Sequence, residues 1–237
     1  MTQQENDTRS GGFAEIGRDN LTARVYGELR LALMEGRFRP GHRFKISELA
    51  KSLGVSETPV REALMQLVRE RALTMKAARS VEVARLTADQ YEELRAIRLL
   101  LEGAAAESAT TRISPEEIAE LKTLNEQLYA AERNHRWSEA VRVNWNFHYT
   151  LYRAAEKPEL LALIETIWLR NGPVLNMAYP HAPPTYPGLH QHLNVIAGLE
   201  ARDPARVKKA IQDDLLEGGS NLLRHLREIE AGSVEES

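Results

Sequence analysis

Cysteine is missing from all 237 residues, which excludes disulfides and thiolate metal sites together. Long apolar runs are missing too. Nothing approaches the ~20 apolar residues of a membrane-spanning helix, and the polar N-terminus lacks the apolar segment of a signal peptide. A cytoplasmic protein is the expectation. Net charge of one sign is slight, at −3, but it is unevenly spread. Residues 20–85 carry thirteen Lys and Arg against seven Asp and Glu, an excess of +6 that leaves −9 for the remainder. A basic N-terminal third on an acidic body suits a nucleic-acid-binding module joined to something with another task, although an excess of this size also occurs as an ordinary solvated surface. With 43% hydrophobic and 27% charged residues, the chain has a globular composition and the length for two modest domains.

The most informative stretch runs from Leu49 to Leu64. Leu49, Ala50 and Leu53 form one apolar face, and Val60, Ala63, Leu64 and Leu67 form another, so two short helices share a small core. Gly54 gives the turn between them its backbone freedom, Val55 plugs it, and Ser56 is placed to cap the second helix by accepting its orphan amides. This is a helix-turn-helix. Ser56, Glu57, Thr58 and Arg61 then point outward where a recognition helix meets the DNA major groove. Upstream, Leu21, Val25, Leu29 and Leu33 recur every four residues as a first helix ended by Gly36, with residues 1–19 read as a disordered arm. Downstream, the stretch 71–84 reads as two short strands with Lys76 and Arg79 near their connection, a basic wing. Residues 20–85 are therefore expected to be a winged helix-turn-helix domain.

Beyond it the chain reads as helical throughout. Thr87 with Gln90 and Ser114 with Glu117 form capping boxes, opening helices to about 110 and 134. Further helices are expected over 138–155, 159–171 and 187–201, with a last one from 203 to about 229. The stretch 180–186 holds too much proline for regular structure. The fold class is mainly α: a winged helix-turn-helix followed by an all-α bundle of about six helices over 86–230, then a disordered tail, 231–237.

The run from Val55 to Leu64, preceded by Arg39-Pro40-Gly41, resembles the N-terminal signature of the GntR family of transcription regulators. The second domain resembles that family's FCD branch, with its FadR-like and VanR-like members. Its marks are the Arg98–Glu102 segment, the Asn144–His148 segment, and His192 followed by Asp203 and Asp214. The resemblance covers roughly 20–230. It implies a homodimeric repressor or activator on a near-palindromic operator, read here as a repressor. A small carboxylate would retune it, often beside a divalent metal. The branch pattern carries Asp-x3-His on one helix and one His on each of two later helices. Here Asn144 stands in the Asp position and Asp214 in a His position, so the implied set is Asn144, His148, His192 and Asp214, fit for Zn, Ni, Fe or Mn. Asp203 lies eleven residues after His192 and eleven before Asp214. Asp213 and His190 are the neighbours that a one- or two-residue shift in register would bring in instead.

Each assignment has a bland rival. His148 and His192 read alone are hydrogen-bonded core histidines, and the branch pattern reverses that preference. Arg98 either binds the effector carboxylate or pairs with Glu102, four residues on. Trp145, Trp168 and Tyr149 read as packing. Glu57 is unusual at a DNA face, because a carboxylate repels phosphate and accepts well only from a base such as cytosine, which points to a shifted operator preference. Ser56 and Thr58 offer hydroxyls to phosphate, Arg61 offers a strong contact to guanine or phosphate, and Arg79 offers a wing contact. Two other functional classes remain open at this stage: an all-α metal-dependent hydrolase or oxygenase, and an architectural DNA-binding dimer without an effector.

Overall fold

A computed structural model describes residues 21–76, 80–185, 188 and 190–234. The expectations for residues 1–19, for Arg79 and for the last three residues of the tail lie outside them.

Three helices and a small sheet make the first unit: α1 (Leu21–Met34), β1 (Arg43–Phe44), α2 (Ile46–Leu53), α3 (Glu57–Arg69), β2 (Leu73–Met75) and β3 (Val81–Val83). The sheet is antiparallel in the order β1-β3-β2, with Phe44 opposite Val81 and Leu73 opposite Val83. The two residues of β1 were not foreseen, since so short a strand has no alternation to read. Gly54 caps α2 in the left-handed region, φ 67°, which a side chain would strain. Ser56 stands at the N-cap of α3 in extended backbone but makes no side-chain capping bond, contrary to expectation. Its hydroxyl is left exposed on the outer face. Val25, Leu29, Leu33, Val60, Leu64 and Leu67 meet beneath α3 as the core of this unit.

The second unit is helical: α4 (Ala88–Ala109), α5 (Pro115–Arg133), α6 (Trp137–Arg153), α7 (Pro158–Leu175), α8 (Gln191–Glu200), α9 (Pro204–Glu217) and α10 (Ser220–Glu230). Both capping boxes form, Thr87 with Gln90 and Ser114 with Glu117, each pair satisfying two orphan amides reciprocally. α4 lies against α9 and α7, and α5 lies against α6 and α8. Two expectations are corrected. The last helix is two helices broken at Gly218-Gly219, where a pair of glycines costs about 1 kcal/mol each in a helix interior. α7 passes through Pro173 to Leu175 instead of ending near Asn171, because Trp168, Leu169 and Val174 bury its apolar side and outweigh one lost hydrogen bond. Among the described residues no helix is long and apolar enough to cross a membrane.

The two units share a seam. α1 packs along α7, Arg30 pairs with Glu165 at 2.9 Å, and the Asn176 amide donates to the Gly36 carbonyl. One apolar cluster runs without a break from Leu64 through Leu33 to Trp168.

Candidate functional site

At the start of α3, Pro59 and Val60 turn inward while Ser56, Glu57, Thr58 and Arg61 are exposed together, as the helical period requires. Glu57 and Arg61, one turn apart, stand 3.6 Å from each other with both side chains about half exposed. This pair was not anticipated. In the free protein the acid holds the arginine on the outer face instead of opposing it. A second unforeseen feature lies behind the face. Glu82, buried on the central strand β3, gathers Lys76 at 3.3 Å, Arg85 at 3.4 Å and Arg43 at 3.6 Å, anchoring basic side chains at the base of the wing.

Inside the bundle, His148 of α6, His192 of α8 and Asp214 of α9 are buried and present ligand atoms within 4.8 Å of one another. His148 Nε2 is 3.4 Å and His192 Nε2 3.9 Å from the same Asp214 oxygen. Two ligands on one ion, each at about 2.1 Å, stand roughly 3 to 4.2 Å apart, so the two spacings to Asp214 fall in that range while the whole set spans up to 4.8 Å. Asn144, one turn before His148, lines the same cavity. Of the two register neighbours, Asp213 leaves the cluster and His190 stays on the cavity wall. Asp213 faces outward and pairs with Lys209 at 2.8 Å, and His190 caps α8, its Nδ1 accepting from the His192 amide at 3.1 Å.

The donor set has an internal argument for a cation. Tyr152 gives its single hydroxyl proton to Glu102 at 2.6 Å, so at the 3.0 Å contact between Tyr152 and His148 the proton must come from the imidazole Nδ1. In the neutral ring this leaves the Nε2 lone pair facing the Asp214 carboxylate. His192, stacked on Phe147 at 3.7 Å, has both ring nitrogens buried without a hydrogen-bond partner among the described residues. Burial presses its pKa well below the usual imidazole value, keeping it neutral. Burial pushes the Asp214 carboxyl up, and positive charge at the His192 and His148 positions pulls it well below the usual carboxylate range, a charge that neutral imidazoles do not themselves supply. Two lone pairs turned on an ionised carboxylate are the arrangement that a divalent ion completes.

Arg98 takes the second of its two expected roles, pairing with Glu102. Its Nε and Nη2 donate to the two oxygens of Glu102 at 2.6 and 3.2 Å, its guanidinium lies 4.5 Å over the Trp168 ring, and it lines the cavity. Burial works against its charge, and Glu102 more than restores it. Glu102 also accepts from Trp168 Nε1 at 3.0 Å, so one carboxylate orients the arginine, the tryptophan and, through Tyr152, His148. Sequence reasoning gave Glu102 only as the partner of Arg98, and it had no signal for Tyr152, which sits on α6 four residues after His148. Trp145 and Trp168 are fully buried packing residues, as expected.

Arg98, His148, Trp168 and Asp214 line a partly enclosed cavity with about 620 Å³ of empty space, counted to include its open mouth. Its walls include Leu128 and Glu132 of α5, Val141 of α6, Leu175 of α7, and Ala178 and Tyr179 just beyond α7.

Two family descriptions match the chain: "Bacterial regulatory proteins, gntR family" over residues 21–83, and "FCD domain" over residues 93–217. The chain is 33% identical over 196 residues to the HTH-type transcriptional regulator McbR of Escherichia coli, covering 81% of this chain and 88% of McbR. It is 27% identical over 198 residues to the HTH-type transcriptional repressor RspR of the same species, covering 83% and 86%. The solved structure of E. coli McbR/YncC is similar over 88% of this chain and 99% of its own, with a TM-score of 0.77 at 29% identity. A transcriptional regulator from a Rhodococcus species has the same fold, with a TM-score of 0.71 at 23% identity, covering 87% of this chain and 99% of its own.

Proposed function

The chain belongs to the GntR family of bacterial regulatory proteins, in its FCD branch, and from that premise we propose that it is a homodimeric repressor gated by a small carboxylate held beside a divalent metal. It is a transcription regulator, not an enzyme, which disposes of the hydrolase and oxygenase reading. A relative named as a repressor supports the sign of regulation. A near-palindromic operator follows from two copies reading DNA symmetrically. Ser56, Thr58 and Arg61 are the DNA-contacting groups, with Glu57 biasing base preference.

The observation that carries the metal is the buried pair of imidazoles aimed at one ionised carboxylate, with the His192 nitrogens otherwise orphaned. His148, His192 and Asp214 are the ligands, and the Asn144 oxygen is the fourth. Bound there, a divalent ion supplies a Lewis-acidic anchor for a carboxylate. Zn, Ni, Fe and Mn all accept this donor set. Arg98 presents its charge to the same cavity while Glu102 fixes its orientation, and this is the basis for giving it a share of the effector. Ligand binding then shifts the population between arrangements of the two winged units.

Elemental analysis of protein purified without chelator should find about one divalent ion per chain in the wild type and none in the His148→Ala/His192→Ala double variant. Wild-type protein lacking metal, or a double variant retaining it, would count against the site. An architectural dimer without an effector would instead show metal-independent operator binding and no carboxylate response.

A further inference from the structure

We infer that the outer face of the wing sheet is a second contact with DNA, in which Arg43 and Lys76 grip the phosphate backbone beside the groove entered by α3 and the buried Glu82 holds them in place. This rests on the reading that Arg61 and its neighbours on α3 face that groove.

The central strand β3 turns Val81 and Val83 into the core, so Glu82 between them points to the opposite face of the sheet. Directly across from Glu82 stand Arg43 on β1 and Thr74 on β2. The Lys76 amide donates to the Ser80 carbonyl, which continues the ladder and puts Lys76 on the same face, diagonal to Glu82. Three long cationic side chains then cover the acid, which is only 4% exposed. Lys76 Nζ and Arg85 Nη1 stand 3.3 and 3.4 Å from its Oε1, and Arg43 Nε stands 3.6 Å from its Oε2. One cation would match the charge. Three leave the face with an excess of positive charge, and no other carboxylate among the described residues meets three Lys or Arg side chains.

The three cations differ in what they can reach. Arg85 lies against the backbone of Gly41, where a side chain would collide with its guanidinium, and it donates to Glu82. It is the locked member. Arg43 and Lys76 keep 74% and 58% of their side chains exposed, so their charged ends can meet an outside anion while Glu82 limits the directions they take. The position suits phosphate. A helix that reaches base edges lies in a groove about 8.5 Å deep, so the backbone on either side stands level with groups set back from the reading face. β2 follows α3 closely and packs on it, and Lys76 comes directly after β2. The cluster therefore sits beside α3 and behind its exposed start, where contacts that fix the docking of a domain without reading sequence are made. Long cationic side chains lose rotamer freedom when they bind, and a carboxylate that has already gathered them removes part of that loss.

The test uses a duplex that the full chain selects from a random-sequence pool, labelled for fluorescence anisotropy and titrated over a range of salt. Arg43→Gln and Lys76→Gln should each flatten the plot of log affinity against log salt by about one unit, as loss of one phosphate contact does. Glu82→Gln adds positive charge to the face, and an acid that only opposed DNA would thereby tighten binding when removed. It should instead weaken binding about fivefold, the low end of what two side chains ordered afresh should cost. In the Arg43→Gln/Lys76→Gln background it should weaken binding no further. Unchanged slopes in both single variants overturn the contact. Tighter binding by Glu82→Gln overturns the holding role, and so does a weakening that persists without the two cations, which would mark a damaged sheet. Arg61→Ala tests α3 separately: if it leaves affinity unchanged while the two slopes flatten, the α3 reading fails and the phosphate contact of the sheet stands. A wild type that enriches no duplex overturns both.

Discussion

His192 is completely buried, stacked on Phe147, and among the described residues has no hydrogen-bond partner at either nitrogen, so without a metal it leaves a donor and an acceptor with no protein partner. Each such group costs about 1–3 kcal/mol. A site kept at that expense has a use that stability alone does not explain. His192→Leu should therefore raise the melting temperature of chelator-treated protein by about 2–4 °C per kcal/mol recovered, and abolish the rise that added metal gives the wild type. Melting curves of both proteins with and without chelator decide it: a variant less stable than wild type in chelator would mean that the imidazole is held by packing alone. At the DNA face, the half-exposed Glu57–Arg61 pair is worth only about 0.3–0.5 kcal/mol, so DNA can displace it readily. Arg61→Ala should abolish specific operator binding in a gel-shift titration while the far-ultraviolet spectrum and oligomeric state stay unchanged. Unaltered affinity would remove Arg61 from the reading face.

Helices whose ends carry their own chemistry were legible in the sequence. Thr87 and Ser114 each accept from the amide three residues on, and each third residue, Gln90 or Glu117, reaches back. Thr87→Ala and Ser114→Ala should each cost about 1 kcal/mol, read as a fall in denaturant midpoint at unchanged slope. A shift below a tenth of that would mean that burial of Tyr91 or Ile118 fixes these helix starts without the caps. Elements whose ends depend on tertiary packing were not legible. β1 is two residues long and exists because β3 offers it an edge, and α7 survives Pro173 because α1 covers it. The His148, His192 and Asp214 cluster was read through a spacing, but its supporting groups were not. Glu102, Tyr152 and His148 meet through bonds spanning fifty residues in one step and four in the other, and no local pattern encodes the first. Glu132 and Tyr179, forty-seven residues apart, were invisible for the same reason.

Across the molecule, the question is how a cavity in the bundle speaks to α3. The cavity wall includes Val141, Leu175, Ala178 and Tyr179, and the same stretch of chain touches the first unit. A side chain at Gly172 would collide with the carbonyls of Leu33 and Met34 at the end of α1, and one at Gly36 would collide with Val141. Between them the Asn176 amide holds the Gly36 carbonyl. α1 in turn packs on α3, so a displacement of the α7 end by a ligand has a short, closely packed route to the reading helix. The physical warrant is the contact itself, and the energy it transmits is the quantity to measure. We predict that Asn176→Ala keeps metal binding and keeps operator binding in the metal-free state, but lowers the ratio of operator affinities with and without metal and effector toward one. By linkage, the same variant should weaken the effect of operator DNA on effector affinity by an equal factor. Fluorescence anisotropy with labelled operator, and calorimetry with effector in the presence and absence of DNA, give the two ratios independently. A wild-type ratio in both would show that the coupling bypasses this hydrogen bond, and Gly172→Ala, which wedges α1 from α7, would then be the variant to separate a packing route from a purely entropic one.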